Sequence, residues 1–235
     1  MIYNELKIAY IHLPKTGGRS FQEYLSNKFK RKFLLNNDRF SENKEIIDWC
    51  HYNFVGGHFP YKSQNLPRIF QYITILRDPV QRTISQYNHL MHSDTSLMLA
   101  KVMRDENWSF MDFVSNHEMR VAAWVNSYTV YLSTYDEQEE DFNTVTKVKQ
   151  ACYNLAFNFA FVGITERMDE TVKLFNKKFG CNAEIGVIGK TPESKKAKIS
   201  EDDMRELRIH LSPDITVYEV ANEIFDDALK KEGIT

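Results

Sequence analysis

An α/β fold, with a mostly parallel central sheet flanked by helices, is predicted by three stretches of this 235-residue sequence. In the first, an apolar run over residues 8–13 enters a glycine turn and leaves it as a helix-like pattern of Phe21, Tyr24 and Leu25. In the second, Ile73-Thr74-Ile75-Leu76 is stopped by Arg77-Asp78-Pro79 and followed by another helical pattern. In the third, Phe159-Ala160-Phe161-Val162-Gly163-Ile164-Thr165-Glu166 precedes Met168, Val172, Phe175 and Phe179 at helical spacing. Strands that each hand over to a helix pair in parallel, because a parallel neighbour is reached only by a crossover.

The first junction reads His12-Leu13-Pro14-Lys15-Thr16-Gly17-Gly18-Arg19-Ser20. A strand–glycine turn–helix presents successive backbone N–H groups at a helix N-terminus, where partial positive charge favours a phosphate or sulfate. Two glycines let the backbone approach the anion, and Lys15 and Arg19 add full charges. The candidate anion ligands are therefore Lys15, Thr16, Gly17, Gly18, Arg19 and Ser20. The triphosphate loop G-x-x-x-x-G-K-[ST] differs here, since Arg19 takes its lysine position and Leu13 its first glycine position.

Beyond the first helix, residues 28–32 form a basic cluster that suits the negative end of a helix dipole and reads as a solvated face. Residues 37–50 read as a polar connection into a short helix. Asn53-Phe54-Val55-Gly56-Gly57-His58-Phe59-Pro60-Tyr61 reads as a short strand entering a turn, with its carboxyl end on the side of the sheet that holds the anion turn. Histidine titrates near neutral pH, so His58 is the candidate proton acceptor. His12 is expected to face inward on the first strand; His51, His89, His92, His117 and His210 lack a glycine-turn context.

At the second junction Arg77 falls at a strand's carboxyl end, where open α/β sheets bind ligands. Asp78 fits an N-cap and Pro79 the first helical turn, which carries the helix onward past Ser85. Residues 107–132 read as helical and aromatic-rich, a pattern that is more often core than a sugar platform. The acidic run 136–141 reads as a solvated turn before a helix beginning near Phe142. After the third strand, a helix runs to Phe179 and stops at Gly180. Gly189-Lys190-Thr191-Pro192-Glu193-Ser194-Lys195-Lys196-Ala197-Lys198 is a polar basic loop. Ser200 with Asp203 is a capping-box signature, and Ser212 with Pro213 caps the final helix.

Bulk properties fit one soluble globular domain over 1–235, with 43% hydrophobic and 26% charged residues. A net charge of −2 argues against general nucleic-acid binding and leaves the anion sites local. The three cysteines, Cys50, Cys152 and Cys181, match no metal spacing and read as free or buried thiols of a reducing compartment. The first strand starts close to Met1 and no apolar run approaches a membrane span, so the expected location is cytoplasmic, with no membrane partner.

Pro14-Lys15-Thr16-Gly17-Gly18-x-Ser20 after a first strand resembles the 5′-phosphosulfate loop of sulfotransferases that use 3′-phosphoadenylyl sulfate (PAPS), in particular the carbohydrate-type family that includes the heparan sulfate 2-O-sulfotransferases. Arg77 and Ser85, with seven residues between them, are similar to that family's grip on the 3′-phosphate. Gly57-His58-x-x-Tyr61 resembles the stretch carrying its histidine base. The resemblance implies a P-loop-kinase-like fold and transfer from PAPS to an acceptor hydroxyl on a carbohydrate or other small molecule. It implies 3′-phosphoadenosine 5′-phosphate (PAP) as product, His58 and Lys15 as catalytic residues, and no metal. It also implies a loop over 186–199 that closes on the donor through Lys190, Thr191 and Lys195. An acceptor cleft within 107–155, with Arg120 as a contact, completes the set. Each motif alone has a plainer reading: a strand-end ion pair at Arg77-Asp78, a simple turn at Gly17-Gly18, a structural loop histidine at 58. Their order, at successive strand–helix junctions, sets them together. An ATP-dependent small-molecule kinase and a non-catalytic nucleotide-binding module are the alternatives on the same fold.

Overall fold

The computed structural model describes residues 6–35, 48–93, 95, 97–116, 125–134, 144–182, 184 and 199–234. Five strands, β1 (Ile8–Ile11), β2 (Lys32–Leu35), β3 (Phe54–Gly57), β4 (Gln71–Leu76) and β5 (Phe159–Ile164), form one sheet in the order β2-β3-β1-β4-β5. Every neighbouring pair is parallel. All four residues of β1 are buried, as a central parallel strand covered on both faces requires. β1 lies between β3 and β4, and the chain leaves it toward one side and returns on the other. That reversal opens a crevice beyond the carboxyl ends of β1, β3 and β4.

The flanking helices are α1 (Arg19–Lys28), α2 (Pro79–His92), α3 (Met98–Asp105), α4 (Phe110–Val114), α5 (Ser127–Leu132), α6 (Thr144–Phe157), α7 (Met168–Phe179), α8 (Glu201–His210) and α9 (Ser212–Glu232). Start and stop signals explain several of them. Asp78 caps α2 by accepting from the Gln81 N–H at 2.8 Å, and Pro79 sits in the first turn where its missing N–H has no helical partner. Ser200 caps α8 by accepting from the Asp203 N–H at 3.1 Å. Gly180 ends α7 in the left-handed conformation at φ 62°, which a side chain disfavours.

Between the sheet and α7 the core is aromatic. Phe175 meets Phe21 of α1 edge-on at 4.8 Å and Phe161 of β5 at 5.3 Å, both within the range of favourable ring pairs. Phe21 is fully buried, so this packing fixes the first turn of α1 against the sheet. Truncating it to alanine costs about 3–5 kcal/mol. A second cluster, which includes Val80, Leu90, Met103, Phe113, Leu207 and Leu211, joins α2, α3, α4 and α8.

Several local readings are corrected. Residues 28–32 are not simply the solvated end of α1: the helix ends at Lys28, and Lys32 begins β2, an edge strand against β3. β2 spans only four residues, too short for an alternating pattern to declare it. The 107–132 region is not one helix in its described part, since α4 and α5 are separate and Asn107 takes a left-handed φ of 52° after α3. Helix α3 itself was not foreseen. β5 stops at Ile164, and 165–167 form a 3₁₀ turn. Ser212 lies inside α9, whose N-cap is Leu211. The acidic run 136–141 lies outside the described residues.

Candidate active site

The parallel register builds the site. Ile11 pairs with Gly57 on one side of β1 and with Thr74 on the other. One residue farther along, His12 and His58 therefore leave adjacent strands side by side, at the spacing of neighbouring strands. Their rings stack at 4.7 Å between centroids and 23° between planes. The His12 N–H continues the ladder by donating to the Gly57 carbonyl at 2.9 Å. His12 lies just past the end of β1 and not within it, with its ring stacked between those of Tyr10 and His58.

His58 Nδ1 lies 2.5 Å from the His12 carbonyl oxygen. A carbonyl can only accept, so Nδ1 carries the proton and Nε2 keeps its lone pair. Burial lowers the pKa of His58 below its ordinary value, and nearby Arg19 lowers it further, against the opposing bond to His12. Burial, the neighbouring His58 and Arg19 hold His12 at about 3. Both rings are neutral at neutral pH, and His58 is set up to accept a proton.

The turn after β1 is shaped for an anion. Lys15 and Gly17 take left-handed φ values of 67° and 71°. Gly18 is the N-cap of α1 and supplies no side-chain cap, which leaves the first-turn amides uncapped from within the helix. A Cβ at Gly18 would lie 2.1 Å from the Tyr10 hydroxyl and 2.9 Å from His12 Cδ2, so any side chain there must displace one of them. The Thr16 hydroxyl is turned inward, donating to the Leu13 carbonyl at 2.9 Å, and so shapes the turn through its own fold. Thr165 ties the turn to the sheet: its hydroxyl proton is shared between the carbonyls of Thr16 at 2.5 Å and Leu76 at 2.9 Å.

Arg77 reaches the same turn from the end of β4. Its Nη1 donates to the Lys15 carbonyl at 3.3 Å, and its Nε lies 3.9 Å from Glu166 Oε1. The Lys15 ammonium has its pKa lowered by burial, then by Arg19 and by Arg77. Three cations crowding one turn repel each other, and an anion between them removes that repulsion. Ser85 sits half-buried in the second turn of α2. His89, one turn beyond it, has its pKa lowered by burial and then by Lys15 and Arg19, so α2 runs alongside the turn.

Of the expected site residues, Lys15, Thr16, Gly17, Gly18, Arg19 and Ser20 occupy the turn and the start of α1, Arg77 bonds to it, and His58 stands at its β3 side. Lys190, Thr191, Lys195 and Arg120 lie outside the described residues. Among the described residues, no group of three or more His, Cys, Asp or Glu is arranged to hold a metal. Also among them, no helix is long and apolar enough to cross a membrane. Sequence reasoning missed the roles of Thr165, Glu166 and Tyr128. The Thr-Glu ending of the third strand pointed to the first two, while a buried tyrosine in an aromatic run gives no such signal.

The chain has relatives among characterised proteins. It is 30% identical to heparan-sulfate 6-O-sulfotransferase 3-B of Danio rerio, over 93% of this chain and 63% of that protein. It is 27% identical to heparan-sulfate 6-O-sulfotransferase 2 of Gallus gallus (93% and 66%) and 23% identical to heparan-sulfate 6-O-sulfotransferase 1 of Homo sapiens (93% and 65%). The chain thus spans about two thirds of the length of these relatives, which carry the 6-O designation and not the 2-O one. The pattern that defines the Sulfotransferase family matches residues 1–225, and with the strand-end crevice described above this chain belongs to that family.

Proposed function

We propose that this chain moves a sulfuryl group from PAPS to a hydroxyl of a carbohydrate, with His58 as general base. One observation carries the reading: the Arg77 guanidinium bonds to the Lys15 carbonyl, which brings the two anion motifs to one crevice with His58 beside them. The residues fit a donor with phosphates at two positions. Uncapped amides at the start of α1, with Lys15 and Arg19, suit the 5′ end, and Arg77 with Ser85 suits the 3′-phosphate. The relatives' names make the 6-hydroxyl of a heparan-type glycan the first acceptor to test.

In this mechanism His58 Nε2 takes the acceptor proton while the acceptor oxygen bonds to sulfur. The bond from sulfur to the 5′-phosphate oxygen breaks in the same in-line displacement, and its electron pair leaves with PAP. Lys15 and the first amides of α1 stabilise the charge that grows on that oxygen. Arg77 holds the 3′-phosphate and so fixes the donor's position relative to His58. The His12 carbonyl keeps the proton of His58 on Nδ1 throughout the approach, as the tautomer requires. The test is transfer of labelled sulfate from PAPS to desulfated heparan-type glycan, with ATP and magnesium in a parallel reaction. Label in the glycan supports the reading; phosphate transfer from ATP with no sulfate transfer overturns it.

A further inference from the structure

The last long helix, α9, is far from the anion turn in sequence, yet two side chains in its first two turns act on the crevice. Asp214, fully buried, accepts from the backbone N–H groups of Tyr128 at 3.0 Å and Thr129 at 2.8 Å, and from the Thr129 hydroxyl at 2.9 Å. It thereby does for α5 what a capping side chain would do, since Asn126 at the N-cap supplies none. Tyr128, fixed in this way, aims its hydroxyl at the backbone of Arg77. The hydroxyl accepts from the Arg77 N–H at 2.9 Å and donates to the Arg77 carbonyl at 2.5 Å. Arg77 is the first residue beyond β4, so one hydroxyl satisfies both of the backbone groups that the sheet ladder no longer serves. The buried guanidinium of Arg82 lies 5.4 Å from the centroid of the same ring, within cation–π range.

One turn along α9, Tyr218 donates to Glu166 Oε2 at 3.0 Å. The other oxygen of Glu166 accepts from the Asp78 N–H at 3.0 Å and lies 3.9 Å from Arg77 Nε. The two arms therefore address different parts of one residue: Tyr128 the backbone, Glu166 the guanidinium and the peptide that follows.

We propose that α9 sets the grip on the donor's 3′-phosphate through these arms, with Tyr128 and Tyr218 as positioning residues for Arg77. This rests on reading Arg77 as the 3′-phosphate ligand. An arginine fork held in place before binding loses less freedom on binding than one that must be ordered by the ligand. Removing an arm therefore weakens the contact with the 3′-phosphate and leaves the rest of the nucleotide untouched.

The test compares affinities for PAP and for AMP, which differ only by the 3′-phosphate, in the wild type, Arg77→Ala, Tyr128→Phe and Tyr218→Phe. Tyr128→Phe lowers PAP affinity by about tenfold with AMP affinity unchanged, the usual worth of a buried hydrogen bond. Tyr218→Phe lowers it by about threefold, again for PAP alone, as fits a solvent-exposed bond. General structural damage would weaken both ligands alike, and that pattern overturns the proposal. So does full retention of PAP preference in both tyrosine variants while Arg77→Ala abolishes it; in that case the donor reading survives. A wild type that binds PAP no better than AMP overturns the donor reading itself and the proposal with it. If Tyr128→Phe does not fold, Tyr218→Phe decides, because its side chain is only half-buried.

Discussion

The turn after β1 and the end of β4 face one crevice, but they are held in different ways. The turn is shaped largely by its own residues, with Gly18 leaving room for Tyr10 and Thr16 bonding three residues back to Leu13, and Thr165 and Arg77 then tie its carbonyls down from outside. The end of β4 is held from a distance, by Tyr128 across 51 positions and by Glu166 across 88. The turn's own shaping residues can be read from a short stretch of sequence, whereas the remote side chains that hold the strand end, and that brace the turn, cannot. The difference also separates two kinds of damage. On the proposed reading, changes in the turn alter what the donor's 5′ end touches, while changes behind β4 alter where Arg77 stands.

His58 stands on the β3 side of the turn, away from β4, so its removal probes the proton chemistry apart from the phosphate contacts. His58→Ala should lower sulfate transfer by about 10²–10⁴ and leave PAP affinity within a few-fold, since no phosphate contact is lost. A sulfotransferase assay with parallel calorimetry measures both. The base must be neutral, and burial lowers its pKa below the ordinary 6.5. The wild-type rate should therefore stay level across neutral pH and fall only on the acid side of that value. Transfer near the wild-type rate in the variant would assign His58 a structural role.

Lys15 tests the turn alone. Lys15→Ala should reduce kcat by about 10²–10³, the range for losing one preorganised donor to a leaving oxygen, with a smaller change in PAP affinity. If KM for PAPS rises while kcat holds, the lysine serves binding and Arg19 with the amides carries the leaving-group charge.

The steric claim for the turn is tested by a pair of changes. Gly18→Ala should cost about 1–3 kcal/mol in stability, because its methyl must displace the Tyr10 hydroxyl. Tyr10→Phe removes that hydroxyl, which among the described residues has no hydrogen-bond partner, so the double variant should recover part of the loss. Thermal melts of the four proteins give the coupling; simple additivity would mean that the clash lies elsewhere.

Stability against pH gives a separate test. His12 has a folded pKa of about 3 against an ordinary 6.5, so the folded state favours the neutral ring. Its contribution is complete above pH 6.5 and drains away as pH falls from there toward 3. Tm should decline over that interval, and His12→Asn should flatten the slope. An unchanged slope would assign the decline to other groups.

Much of the fold was legible because its signals are local. The cap at Asp78 with Pro79, the stop at Gly180 and the apolar runs of β1, β4 and β5 each occupy a few adjacent residues. The edge strand β2 was not, since its four residues take their conformation from pairing with β3. In the candidate site, Lys15, Arg77 and His58 stand out in the sequence as residue types suited to anion and proton chemistry, at strand ends. The nearness of His12 to His58 follows only from register, which no single strand declares. Tyr128 and Asp214 look like ordinary helix positions until α5 and α9 pack together. His89 was passed over for lack of a glycine turn, although its place one turn beyond Ser85 brings it within range of the charges of Lys15 and Arg19.

The central claim is that the turn and the end of β4 form one donor site that requires a 3′-phosphate. Titrating the wild-type chain with PAP and with AMP in the same buffer tests it most directly. Loss of one charge-assisted contact costs roughly 1.5–3 kcal/mol, so PAP should bind more than tenfold tighter than AMP. Equal affinities for the two nucleotides would contradict the account.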